Sequence, residues 1–199
     1  MKKQIVVIHG GDAFDTYEEY IASLKEAELS LAKLQRKDWK SRLSTDLGEE
    51  YDIILPRMPN PQNARYVEWK IWFEKIIPLL DETVAFIGHS LGGIFLTKYL
   101  SENVYPKKIK ATFLVAAPYN TINENPYVDF NLGSSFDGLQ KQGGEIFFYH
   151  SKDDVVVPFS SFEQYQKAIP SAHFIAFEDR GHFNQEKFPE IIKDINNVG

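Results

Sequence analysis

The sequence predicts an α/β protein of three layers, with a mostly parallel six-stranded sheet between two layers of helices. Short runs rich in β-branched and aromatic residues recur along the 199 positions. They are apolar throughout rather than alternating, as expected of strands buried on both faces. Between them lie longer segments with apolar residues at helical spacing. Strand–helix–strand alternation implies parallel pairing, because each crossover helix lies against the sheet. No repeat, low-complexity tract or linker divides the chain, and its length is too small for two well-cored halves. Residues 1–199 are therefore expected to form one domain.

The elements follow in order. Gln4–His9 is a continuous apolar strand. Tyr17, Tyr20, Ile21, Leu24, Ala27, Leu31 and Leu34 then recur at helical spacing and predict one long helix, opened by the capping box Thr16-x-x-Glu19. Asp38 is placed to cap a short helix over 39–47 that Gly48 stops. Tyr51–Leu55 reads as a strand, and Asn60-Pro61 offers an N-cap followed by proline at the first helical position. Tyr66, Trp69, Phe73, Ile76 and Leu80 share one face of the next helix, which assigns Trp69 to the core. Thr83–Ile87 is a strand, Ser90–Leu100 a helix, and Ala111–Ala116 and Glu145–Tyr149 are strands. Ser160-x-x-Glu163 has the form of a second capping box, and a strand at His173–Phe177 and a helix near Pro189–Ile195 close the chain. Residues 119–142 fit no regular pattern and are expected to form a short cap over the site.

Composition excludes several classes. Fifteen Phe, 10 Tyr and 3 Trp within a 43% hydrophobic chain supply a core without help from disulfides or metals. A net charge of −6 argues against nucleic-acid binding, which needs clustered positive charge. The absence of cysteine removes disulfides, thiolate metal sites and a cysteine nucleophile. The apolar run Ile5–Ile8 is too short for a signal peptide, and no stretch approaches membrane-spanning length. A cytoplasmic protein without membrane contact is expected. No phosphate loop, metal-ligand cluster or dinucleotide fingerprint is present, so neither metal nor cofactor is implied.

Ligands of such sheets bind at the carboxyl ends of the strands. That rule selects His9-Gly10-Gly11, the run 88–92, Asp153/Asp154 and Gly181-His182. Gly88-His89-Ser90-Leu91-Gly92 is the strongest local signal. At a strand-to-helix junction G-x-S-x-G forms a nucleophile elbow, a turn so tight that the serine backbone is strained and the residues two before and two after it must be small. A serine hydroxyl is a poor nucleophile unless an imidazole takes its proton during attack and returns it to the leaving group.

These motifs together resemble the α/β-hydrolase family: G-H-S-L-G at Ser90, H-G-G after the first strand, D-x-x-V-P ending at Pro158 and a late G-H at 181–182. The short length, and Pro56-Arg57-Met58-Pro59-Asn60-Pro61 leading to Trp69, resemble its small branch, serine hydrolases of the retinoblastoma-binding-protein type. The resemblance implies a minimal α/β-hydrolase fold with the chain order Ser, acid, His. It implies Ser90 as nucleophile and His182 as general base. The D-x-x-V-P spacing selects Asp154 to orient the imidazole and stabilise its charged form, leaving Asp153 solvated. It further implies an oxyanion hole of backbone N–H groups from Leu91 and from Gly11 or its neighbour Asp12. His9 and His89 are expected to be structural, and His150 to support the acid loop. Tyr119, Phe130 and Phe136 are expected to line the substrate pocket.

The function expected is hydrolysis of a small-molecule carboxylic ester, with amide or thioester as variants, through an acyl-enzyme. The alternative is a hydrolase-fold protein that mainly binds another protein. The chain lacks the cysteine of an L-x-C-x-E motif, so a partner that binds through that motif is unsupported.

Overall fold

The computed structural model describes residues 2–35, 37–119 and 128–198. Six strands, β1 (Lys3–Ile8), β2 (Tyr51–Ile54), β3 (Thr83–His89), β4 (Lys108–Val115), β5 (Glu145–Ser151) and β6 (His173–Phe177), pair in parallel throughout in the order β2-β1-β3-β4-β5-β6. The helices are α1 (Tyr17–Glu26), α2 (Leu31–Gln35), α3 (Leu43–Leu47), α4 (Tyr66–Ile76), α5 (Leu91–Glu102), α6 (Asp137–Gln142), α7 (Phe159–Ala168) and α8 (Pro189–Val198). Among the described residues no helix is long and apolar enough to cross a membrane.

Side chains of a strand alternate between faces, so a strand apolar at every position feeds two cores. Val6 and Ile8 of β1, Phe86 of β3 and Phe148 of β5 join Trp69, Phe73, Phe95 and Tyr165 from α4, α5 and α7. Ile5 and Val7, Ile87, Phe113 and Tyr149 face the other way, onto Trp39, Leu43 and the Ile191, Ile195 and Val198 stripe of α8. Register places Ile8 opposite Gly88, His89 opposite Val115, and Ser151 opposite Phe177. The loops that follow β1, β3, β5 and β6 therefore emerge at one edge of the sheet.

Local signals are met unevenly. Thr16 and Glu19 form the reciprocal capping box, Asp38 caps the turn that begins at Trp39, and Gly48 ends α3 at φ 80°. The single long helix expected over 17–34 is instead two helices, α1 and α2, with Leu31 and Leu34 74% and 67% exposed. Helical spacing alone cannot bury a face when no partner surface reaches it. Asn60-Pro61 does not start α4: Asn60 sits in a turn at φ 45°, and the helix begins at Tyr66 after Arg65. Ser160 likewise caps nothing, because α7 already starts at Phe159 behind Pro158.

Trp69 is fully buried, with edge-on contacts to Phe95 and Phe130 and its indole N–H donating to the Pro59 carbonyl at 2.7 Å. It thus ties α4 to the proline-rich loop behind the first-strand turn. Trp69→Ala is expected to cost about 3–5 kcal/mol, the range for emptying a large aromatic site. Urea denaturation followed by circular dichroism measures it; a loss under about 1 kcal/mol contradicts the packing role.

Candidate active site

The turn after β3 is built by close backbone approach. Ser90 holds φ 54° and ψ −121°, outside the regions that L residues favour, at a strain of order 1–3 kcal/mol. Its N–H donates to the Val115 carbonyl at 2.8 Å, and its carbonyl accepts from Gly93 at 2.8 Å. A Cβ at Gly88 would lie 2.5 Å from the Gly92 carbonyl oxygen, and one at Gly92 would collide with the Ile8 and His9 carbonyls. Hydrogen at both positions is therefore a packing requirement. Ser90 is held at the start of α5, 9% exposed.

The turn after β1 faces it. A Cβ on Gly10 would come within 3.2 Å of Ser90 Cβ, and one on Gly11 within 2.5 Å of the Pro61 carbonyl oxygen. His9 pins this turn: its Nε2 accepts from the Met58 amide at 2.9 Å, leaving Nδ1–H to donate to the Gly10 carbonyl at 2.6 Å. The Asp12 N–H donates to the Pro61 carbonyl at 2.8 Å.

His182 follows β6 and Asp154 follows β5. The His182 Nδ1–H donates to Asp154 Oδ2 at 2.8 Å, while Oδ1 accepts from the Val156 and Val157 amides at 2.8 and 3.0 Å. Burial pushes the Asp154 carboxyl up, but the bonds from His182 and the two amides more than offset this and hold it below the usual aspartate range. His150, buried beneath, donates to the Val157 carbonyl at 2.9 Å and so steadies the turn that grips Asp154. The His182 and His89 rings lie 5.0 Å apart. No hydrogen bond joins the Ser90 hydroxyl to the His182 ring among the described residues.

Two further networks hold the His182 loop, and sequence reasoning missed both. Asp153, expected to be merely solvated, accepts from Ser151 Oγ at 2.5 Å and from the Gly181 amide at 2.8 Å. Ser151 Oγ in turn accepts from the Arg180 amide at 2.8 Å. On the other side, buried Lys40 is 2.5 Å from the Asp38 carboxylate and donates to His89 Nδ1 at 3.3 Å, and His89 Nε2–H donates to the His182 carbonyl at 3.0 Å. Nothing local in the sequence marks Lys40, which lies 142 positions before His182 in the chain. Asp12 is exposed to solvent, yet partial desolvation by the protein around it raises its carboxyl pKa, and the nearby His182 opposes that rise.

The expected pocket residues divide. Tyr119 is half-buried and stands edge-on to Tyr165 at 4.9 Å. Phe130 and Phe136 are instead core residues, 0% and 6% exposed, and Phe130 packs edge-on to Tyr66 and Trp69. Neither offers a ligand appreciable surface. Residues 120–127 of the expected cap lie outside the described residues; the rest includes a single turn at 128–130 and α6.

Burial, the largest influence on His150, lowers its pKa from the ordinary imidazole value against the pull of the Val157 carbonyl. The unfolded chain therefore binds this proton first as pH falls below about 6.5, and stability is lost from there down to the depressed folded value. His150→Gln is expected to flatten the loss of unfolding free energy between pH 6.5 and 5 in denaturant titrations. An unaltered slope would remove His150 as its source.

The profile of the family described as serine hydrolase matches residues 31–192. Serine hydrolase RBBP9 of Rattus norvegicus is 25% identical over 151 residues, covering 74% of this chain and 78% of that protein. YdeN of Bacillus subtilis is 26% identical over 190 residues, covering 94% and 89%. The crystal structure of the ydeN gene product superposes with a TM-score of 0.71 at 23% identity, covering 99% of this chain and 98% of that one.

Proposed function

The chain belongs to the serine hydrolase family, and from that premise we propose that it cleaves a carboxylic ester of a small molecule through an acyl-enzyme on Ser90. The observation that carries this reading is the 2.8 Å bond from His182 Nδ1–H to Asp154, at the sheet edge where the Ser90 turn also emerges. With Nδ1 protonated, His182 Nε2 is left as the base. It takes the Ser90 proton as Oγ attacks the ester carbonyl, and returns that proton to the departing alcohol. A water activated by the same nitrogen then releases the acid. Asp154 stays ionised and stabilises the transient imidazolium.

The developing oxyanion is received by backbone N–H groups of Leu91, at the first position of α5, and Gly11. Gly11 is preferred to Asp12 because the Asp12 amide is already committed to Pro61. Tyr119 remains the candidate for the pocket wall. The alternative reading, a protein-binding role, draws on the exposed apolar side chains of α1 and α2. Labelling of Ser90 without turnover of any ester in a broad panel would favour it.

Ser90→Ala is expected to lower turnover of short p-nitrophenyl esters by roughly 10⁴-fold or more and to abolish labelling by a fluorophosphonate probe. Labelling that persists in this variant overturns the assignment of the nucleophile.

Asp154→Asn is expected to lower kcat by roughly 10⁴-fold, because an amide facing Nδ1 favours the wrong tautomer. Asp153→Asn keeps an oxygen for Ser151 and Gly181 and is expected to change kcat by less than about tenfold. The reverse order of effects would transfer the acid role to Asp153.

A further inference from the structure

We propose that Lys40 is a positioning residue for the reaction: its ammonium locks His89 in the neutral Nε2–H form, and His89 in that form fixes the backbone of His182. The proposal rests on the reading of His182 as the general base. It adds to the serine, histidine and acid a component that none of their motifs contains.

Residues 38–40 grip the loop after β6 at three carbonyls. The Trp39 indole N–H donates to the Phe183 carbonyl at 3.0 Å, and the Trp39 amide donates to the Gln185 carbonyl at 3.0 Å. The third tie is indirect, from Lys40 to His89 Nδ1 at 3.3 Å and from His89 to the His182 carbonyl at 3.0 Å. The backbone so gripped does not keep its shape unaided. Gly181 and Phe183, on either side of His182, take positive φ, 50° and 52°. For Phe183 this is a conformation that L residues rarely adopt, and it persists only while the surroundings impose it.

Lys40 decides the state of His89 by elimination. An ammonium has donors and no acceptor, and the Asp38 carboxylate 2.5 Å away favours the charged form. The ring nitrogen that faces it, Nδ1, is therefore the bare one, and the ring proton sits on Nε2, where the His182 carbonyl accepts it. With a donor already on Nδ1, the ring cannot take a second proton. That restriction matters because the His89 and His182 rings lie 5.0 Å apart. An imidazolium at His89 would oppose the charge that His182 acquires as it accepts the Ser90 proton. Lys40 and His89 are both buried, so bulk water does not compete for Nδ1. The other Asp38 oxygen accepts from the Ser41 amide at 3.3 Å, so one carboxylate shapes the turn and holds the lysine. An uncharged apolar side chain at position 40 lifts the constraint. The ring is then free to shift its proton to Nδ1, which turns a lone pair on the His182 carbonyl, or to take a second proton.

Long-range proton–nitrogen correlation spectra of the histidine rings read the state of His89 directly. In the native protein near neutral pH they are expected to show Nε2 protonated and Nδ1 bare; a proton on Nδ1 overturns the proposal. In Lys40→Met, with folding checked by its melting curve, His89 is expected to leave that form in a substantial fraction of molecules, and an unchanged ring overturns the proposal as well. The same variant is expected to lose roughly tenfold or more in kcat on a short p-nitrophenyl ester, with KM within about twofold of native, because the loss lies in placing His182 and not in binding substrate. An unchanged kcat contradicts the positioning role. His89→Phe is expected to cost a similar factor, and adding Lys40→Met to it nothing further, since the lysine acts through the ring. Losses that multiply in the double variant would confine Lys40 to its own turn and defeat the proposal. Absence of ester turnover in the native protein would count against the acyl-enzyme reading alone, and the ring spectra of the native protein and of Lys40→Met would still decide whether the lock exists.

Discussion

The architecture turns on how closely three stretches of backbone approach one another at the carboxyl end of β3. Gly88 lies against Gly92, and Gly92 against the carbonyls of Ile8 and His9 at the end of β1. A methyl group at Gly88 or Gly92 would force strand, turn and helix apart. Because they stay together, Ser90 is locked at φ 54°, its amide is spent on Val115, and α5 begins at the next residue, Leu91. The strain is maintained because the flanking strands are buried on both faces and cannot relax independently.

From that fixed point the remaining site is assembled by polar ties between loops that have no reason of their own to be rigid. The imidazole of His182 is oriented by Asp154, whose second oxygen is occupied by two backbone amides. The loop carrying His182 is held at Gly181 and Arg180 by Asp153 and Ser151, and at its carbonyl by His89 and Lys40. A ring held by a single hydrogen bond would still rotate with its loop. Holding the loop at separate points converts one bond into a defined position, which is what the proton transfer proposed for His182 would demand.

The two ends of the sheet differ in chemistry for a topological reason. Parallel strands all deliver their following loops to one edge, so polar loop residues gather there. The amino ends receive the chain from helices instead, and what lies between them depends on side-chain volume.

The fold class was legible from the chain because burial on both faces leaves a plain mark, uninterrupted apolar runs such as those of β1 and β3. The elbow was legible too, since its steric demand can be met only by small residues at fixed spacing, and Gly88, Ser90 and Gly92 declare it. The Thr16 and Asp38 caps were readable because their partners lie within three residues. Contacts across long separations leave no such trace. Neither the exposure of α1 and α2, nor the burial of Phe130, nor the route from Asp38 through Lys40 and His89 to His182 follows from any local pattern. Each depends on which distant surface the folded chain brings near, and a side chain's neighbours in space are set by packing of the whole molecule rather than by its neighbours in sequence.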